Sequence, residues 1–108
     1  MNQEINRLLM EIEHMMRAVN REVINPQIPQ LTVDDIRPVV CLVAHARASY
    51  LKTLVDLGSL VGEDAKPDQQ QFDELALRRR EYDELVHAAQ ALEAAIQRGY
   101  LDIAHQPG

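Results

Sequence analysis

The central stretch of the chain, residues 39–61, reads VVCLVAHARASYLKTLVDLGSLV and carries only three formally charged side chains, Arg47, Lys52 and Asp56. At about 100° per residue, its polar residues fall within a narrow arc of a helical wheel, and apolar residues cover most of the remaining surface. A helix that is apolar over so wide an arc is surrounded by other helices. This stretch therefore predicts the central helix of a helical bundle.

Local start and stop signals place one further helix on each side. Thr32 with Asp35, and Asp68 with Gln71, have the spacing of capping boxes, which mark helix N-termini. Gly99 is placed to be a left-handed C-cap. The first helix carries an apolar stripe at helical spacing. The sequence predicts helices at about 3–24, 33–62 and 68–98, a proline-containing extended connector at 25–31 and a C-terminal tail at 100–108.

Proline modifies two of these elements. Pro26 ends the first helix, because a proline disfavours helical geometry in the residue before it. Pro38 lies six residues beyond the Thr32 cap and cannot donate a backbone hydrogen bond. We therefore expect a kink there, or a short first turn followed by the main part of the second helix.

The composition supports a single all-α domain over residues 1–108. Hydrophobic residues make up 46% of the chain and aromatic residues only 4%, with four glycines and five prolines. An all-β fold would need more β-branched and aromatic residues and more turn residues. A core built from Leu, Ile, Val, Met and Ala favours helices.

The charge balance and the single cysteine indicate which partners and which cellular location to expect. A net charge of −6 disfavours nucleic acid as a partner, because an acidic chain repels phosphate backbones. Cys41 alone cannot form an intrachain disulfide. The chain shows no basic segment at its start and no run of about 20 apolar residues. We expect a cytoplasmic protein without membrane contact.

The width of the apolar arc on the second helix also predicts self-association. The first and third helices cover two of its sides and leave one flank open. At about 1.5 Å per residue, the second and third helices extend roughly 40–45 Å, which is long for a three-helix monomer of this mass. The sequence therefore predicts an elongated antiparallel three-helix bundle that forms a homodimer, with a monomeric bundle as the alternative. The expected interface residues are Val40, Tyr50, Leu51, Leu54, Val55, Tyr100 and Leu101.

Arg47 lies within the apolar arc of the second helix and predicts a buried ion pair. An unpaired charge in an interior costs several kcal/mol, so a buried Arg needs a carboxylate. Glu81 on the third helix is the expected partner of Arg47. The alternative is that Arg78 pairs with an acid across an interface. If such a pair has a function beyond structure, it would anchor an anion or another ligand.

Three of the four histidines follow an acidic residue by three positions, which places acid and imidazole on one helix face. In ferritin-like di-metal bundles, a pair of Glu-x-x-His motifs supplies part of the inward ligand shell. Here His14 and His87 lie nearly opposite the apolar stripes of their helices and should face water. The candidate metal ligands are Glu11, His14, Glu84 and His87, and Asp102 with His105 repeats the spacing.

These features favour a non-enzymatic interaction, adaptor or regulatory protein that binds a protein partner through an apolar helix surface or through its tail. No cofactor is expected. The alternative is a di-metal protein or metal-dependent enzyme whose carboxylates and histidines come together only at a dimer interface.

Overall fold

Three α-helices account for most of the structure. The computed structural model describes residues 2–28 and 30–104. For this part of the chain the all-α prediction is confirmed, and each helix boundary lies within one residue of the predicted one. The antiparallel three-helix bundle and the homodimer stay predictions. The elements are α1 (Asn2–Ile24), a one-turn 3-10 helix (Asn25–Gln27), β1 (Leu31–Thr32), α2 (Val33–Val61), α3 (Gln69–Gln97) and β2 (Ile103–Ala104).

Both predicted capping boxes are present. At the start of α2, the Thr32 hydroxyl accepts a hydrogen bond from the Asp35 N–H at 3.2 Å, and the Asp35 carboxylate accepts one from the Thr32 N–H at 2.8 Å. The bond from the Thr32 N–H lowers the pKa of Asp35. At the start of α3, Asp68 and Gln71 make the same reciprocal pair, each bond at 2.8 Å. These bonds fix two helix starts because they satisfy N–H groups that have no partner within the helix.

The structure differs from the prediction at Pro26, and at Pro38 it excludes one of the two predicted alternatives. Asn25–Gln27 forms a 3-10 turn instead of extended chain. Pro26 is tolerated there because the N–H groups at the start of a helix have no partner within the helix, so the missing N–H of proline costs no hydrogen bond. α2 runs through Pro38 as one helix, so there is no separate first turn, and the kink at Pro38 stays a prediction. The surrounding turns maintain the helix although Pro38 donates no hydrogen bond to the Asp34 carbonyl. Pro29 lies outside the described residues.

The described residues fall into two compact units. Unit 1 takes in the chain up to Ile36 and from Ala91 onward, so it contains α1, the first turn of α2 and the last turns of α3. Unit 2 is Arg37–Gln90. The single domain over residues 1–108 stays a prediction.

The core of unit 1 lies at the end of α3. Gly99 has a φ of 74°, as expected of a left-handed C-cap. The Tyr100 N–H then bonds to the Ala95 carbonyl at 2.9 Å, and the chain turns back so that Tyr100 and Leu101 join Leu31 and Ala95 in the core. The prediction that Tyr100 and Leu101 form an interface is wrong, because both are buried within their own chain. The partly buried residues around them are Ile24, Ile28, Ile36, Leu92, Ile96 and Ile103.

A short parallel strand pair closes the same core. β1 and β2 pair with Leu31 opposite Ile103 and Thr32 opposite Ala104. The sequence predicted neither strand, because a pair of two-residue strands has no periodicity and depends on residues far apart in the chain. Residues 105–108 of the predicted tail, including His105, lie outside the described residues.

An ion pair holds the segment after α3 against α1. The two terminal nitrogens of Arg21 donate to the two carboxylate oxygens of Asp102 at 3.2 and 2.8 Å. Arg21 also donates to the Gly99 carbonyl at 2.7 Å. The hydrogen bonds with Arg21, followed by the attraction of its charge, lower the pKa of Asp102, and the same bonds raise the pKa of Arg21.

The lowered pKa of Asp102 predicts a loss of stability in acid. A carboxyl whose pKa is lower in the folded state stabilises the fold above its ordinary value of 3.8, and this contribution is lost as the pH falls through the folded-state pKa. We expect Asp102→Asn to reduce the fall in melting temperature between about pH 5 and about pH 2. Asp64→Asn, at an exposed carboxylate outside the ion pairs of the described residues, is the control. An identical pH profile for Asp102→Asn and the wild type would contradict the assignment.

Unit 2 is a hairpin of α2 and α3. The rings of Tyr50 and Tyr82 lie 6.0 Å apart, and nearer the turn Leu57 and Gln71 line one cleft. These contacts advance in opposite directions along the two helices, so the helices are antiparallel within the unit. No residue of Arg37–Gln90 is fully buried. The half-buried positions recur every three or four residues and include Val39, Val43, Ala46, Tyr50, Thr53 and Leu57 on α2, with Gln71, Leu75, Arg78, Tyr82, Leu85 and Ala89 on α3.

Candidate interaction surface

One side of α1 is apolar and exposed. Its apolar residues repeat every three or four positions and fall on one stripe of the helix, which is the pattern of a helix face that packs against another helix. Each of these residues is between 42% and 62% exposed. The sequence predicts the stripe but not its exposure. We call this surface the α1 stripe; it consists of Ile5, Leu8, Leu9, Ile12, Met15, Met16, Val19 and Val23.

The α1 stripe is large for a surface left in water. Complete burial of one side chain of this size contributes about 1.5–3 kcal/mol, so eight side chains left about half exposed forgo on the order of 10 kcal/mol. Single folded chains rarely expose a contiguous apolar patch of more than a few hundred Å², and larger patches mark interaction sites. The α1 stripe therefore has the character of a binding surface.

A second apolar row follows the outside of α2. It lies about 100° around the helix from the residues that face α3, and it repeats at the same spacing of three or four positions. Val40, Leu51 and Leu54 within this row are between 52% and 59% exposed. Of the other predicted interface residues, Val55 is exposed beside the row and Tyr50 is half-buried against α3. We call the row the α2 outer row; it consists of Val40, Ala44, Arg47, Leu51 and Leu54.

Arg47 is the one charged member of the α2 outer row, and α3 holds it in place. Its Nε donates to the Tyr82 hydroxyl at 3.2 Å, and the guanidinium carbon lies 5.4 Å from the centre of the Tyr82 ring. An arginine beside an aromatic ring gains a cation–π attraction. The remaining guanidinium N–H groups have no carboxylate within 4.0 Å among the described residues. Arg47 thus presents a positioned positive charge in an apolar row.

The predicted buried pair of Arg47 with Glu81 is wrong. Both residues are exposed, and Glu81 pairs with Arg78 on its own helix at 2.8 Å. Arg78 also pairs with Glu74 at 2.9 Å. Residues three or four positions apart on one helix are neighbours whatever packs against the helix. Arg78 therefore satisfies Glu81, and Tyr82 takes the place beside Arg47.

The described residues contain no group of three or more His, Cys, Asp or Glu side chains that could hold a metal ion. Glu11 and His14 are exposed on α1 in unit 1, and Glu84 and His87 are exposed on α3 in unit 2. A metal site assembled from two chains stays a prediction, and no contact of these four residues favours it.

Two open clefts offer little for catalysis. The first, of about 420 Å³, lies at the turn end of unit 2, and its carboxylates are Asp56 and Glu74. Asp56 is paired with Lys52 and Glu74 with Arg78. The second, of about 430 Å³, is lined by Ala18, Arg21, Glu22, Asn25 and Pro26. Because the carboxylates of the first cleft and Arg21 of the second are already engaged, the exposed apolar rows are the stronger candidates for function.

Comparison with known proteins adds no assignment for these surfaces. No protein-family model, no curated protein and no solved structure matches the chain. In the described part of the chain, no helix combines the length and the hydropathy that a membrane span requires.

Proposed function

We propose that the chain is a small non-enzymatic interaction protein, of the adaptor or regulatory kind, that forms a homodimer through the α1 stripe. The observation that carries the proposal is the exposure of eight apolar residues on one side of α1. Its site of action is the cytoplasm, and it needs no cofactor, nucleic acid or membrane.

A second copy is the partner that these features favour. Every copy carries two exposed rows, the α1 stripe and the α2 outer row, that repeat every three or four residues. Helices with this repeat pack side by side, the apolar residues of one fitting between those of the other. Most homo-oligomers are closed twofold dimers, in which both copies contribute the same residues to the interface. A homodimer therefore covers apolar residues on both copies at once.

The test is the mass of the protein in solution. Analytical ultracentrifugation of the wild type should give twice the 12.3 kDa mass of one chain. Ile12→Glu places a charge in the middle of the α1 stripe, and burying that charge without a partner opposes association. We expect this variant to sediment as a monomer with unchanged helix content by circular dichroism.

Met10→Glu is the matched control. Met10 is 70% exposed on the side of α1 opposite the stripe, so the same charge there should leave the dimer intact. A wild-type protein that stays at the mass of one chain over the whole accessible concentration range would refute the proposed homodimer.

A further inference from the structure

The two exposed apolar rows suggest which surface the α1 stripe meets. If α1 paired with α1, the α2 outer row would stay in water with Val40, Leu51 and Leu54 exposed. If α1 of each copy packed on α2 of the other, both rows would be covered. The α2 outer row is long enough to cover most of the α1 stripe: at 1.5 Å per residue, Ile5 to Val23 spans about 27 Å and Val40 to Leu54 about 21 Å.

The charges on α1 oppose pairing of α1 with itself. On a helical wheel the α1 stripe has Glu13, which is paired with Arg17, along one border and three glutamates along the other, whereas Arg7 and Arg21 lie on the far side. Two α1 stripes placed face to face in antiparallel orientation would bring the two three-glutamate borders together, and like charges at a helix interface disfavour association. The glutamates of the second border are Glu4, Glu11 and Glu22.

The charges on the outside of α2 are complementary to those borders. Arg47 lies within the α2 outer row and Arg37 lies beside it, while the acidic residues of α2 fall on other sides of the helix. Arg47 is already held against Tyr82, so little side-chain freedom is lost when it meets a carboxylate. Positioned arginines and tyrosines are characteristic anchors of protein interfaces.

We infer that α1 of one copy packs on the α2 outer row of a second copy, with the reverse contact in the same dimer. The glutamates that border the α1 stripe then meet Arg37 and Arg47 of the other copy. This inference rests on the proposed homodimer and names the surface that the α1 stripe meets. The exchange is a closed twofold arrangement, so it predicts dimers and no larger assemblies.

A mixing experiment tests the exchange. One variant, Ile12→Lys with Met16→Lys, changes the α1 stripe; the other, Leu51→Glu with Leu54→Glu, changes the α2 outer row. Each variant alone should dimerise at least about 100-fold more weakly than the wild type, because its charges lie in an apolar contact. Mixed in equal amounts, the two should form a heterodimer, since one contact is intact and the other joins lysines with glutamates. Sedimentation and native mass spectrometry distinguish these species.

The controls place charges of the same sign elsewhere on the same helices. Met10→Lys lies on the far side of α1, and His45→Glu with Ser59→Glu lies on the polar side of α2; both should dimerise like the wild type. If the Leu51/Leu54 variant dimerises like the wild type, the exchange is refuted and the dimer through the α1 stripe stands. If the Ile12/Met16 variant does so, the proposed function fails as well. Two monomeric, helical variants that form no heterodimer also refute the exchange.

A second pair of variants changes charged residues and leaves the apolar side chains of both rows in place. Arg47→Glu also removes the contact with Tyr82, so circular dichroism checks the helix content of each variant. Arg37→Glu with Arg47→Glu, and Glu11→Arg with Glu22→Arg, should each weaken the dimer roughly tenfold at low salt. Mixing the two should restore wild-type affinity, because each of the replaced residues then meets an opposite charge. Equal affinities for the mixture and for the separate variants would overturn the pairing of α1 with α2.

Discussion

Replacing Leu101 with alanine will destabilise unit 1 more than any other single truncation of an aliphatic side chain. Leu101 is only 2% exposed and lies with Leu31, Ala95 and Tyr100 in the core of the unit. Removing a fully buried leucine side chain costs about 2–5 kcal/mol, because the apolar contacts are lost and a cavity remains. Small domains have only about 5–15 kcal/mol of stability, so a large share of it is lost.

Thermal unfolding followed by circular dichroism measures this loss. Leu60→Ala is the matched control, because Leu60 is 74% exposed on α2 and the chemical change is the same. Its free energy of unfolding should change by no more than about 0.5 kcal/mol, as is usual at exposed positions. Equal melting temperatures for the two variants would show that the segment after Gly99 is not part of a core.

Replacing Pro38 with alanine will stabilise the protein. Pro38 is the sixth residue of α2, beyond the first turn in which a missing N–H has no consequence. An interior proline costs a helix about 3 kcal/mol, since it loses one hydrogen bond and its ring crowds the carbonyl four residues earlier, here that of Asp34. The unfolded chain regains about 0.4–1 kcal/mol of conformational entropy when proline is replaced.

The stabilisation of the helix is larger than the entropy regained by the unfolded chain, so the free energy of unfolding should rise by about 2 kcal/mol. For a chain of this size, each kcal/mol raises the melting temperature by about 4–8 °C. Pro67→Ala is the control, because Pro67 lies between α2 and α3 outside any helix and its removal should lower stability slightly or leave it unchanged. A lower melting temperature for Pro38→Ala would mean that the native backbone has adapted to the proline.

The helices could be predicted closely because their boundaries depend on neighbouring residues. Thr32 with Asp35, and Asp68 with Gln71, form hydrogen bonds across three positions, and this spacing is visible in the sequence. Gly99 is likewise a local signal for the end of α3. Helix boundaries can therefore be predicted from these local signals without knowing which helices pack together.

The core of unit 1 could not be predicted in this way. Tyr100 and Leu101 look like an exposed apolar tail until the turn at Gly99 and the pairing of Leu31 with Ile103 bring them inward. These contacts join residues about 70 positions apart, and no local pattern records such a distance. Arg21 and Asp102 meet for the same reason, and nothing near either residue indicates the other.

The candidate surface was predictable in part. The breadth of the apolar arc on α2 pointed to Val40, Leu51, Leu54 and Val55, and these residues are exposed. The partner of Arg47 was missed, because a helical wheel gives the direction of a side chain but not the register of one helix against another. The exposure of the α1 stripe was missed because a helical wheel marks an apolar face but does not show what covers it.

The pairing of Leu31 with Ile103 also has a consequence during protein synthesis. At about 5–20 residues per second, the ribosome needs about 4–14 seconds to proceed from residue 31 to residue 103. During that interval α1 emerges from the ribosome, while the residues that complete the core of unit 1 do not yet exist. The newly made chain therefore displays its apolar stripe to chaperones, or to a neighbouring chain on the same messenger, before its own core can form.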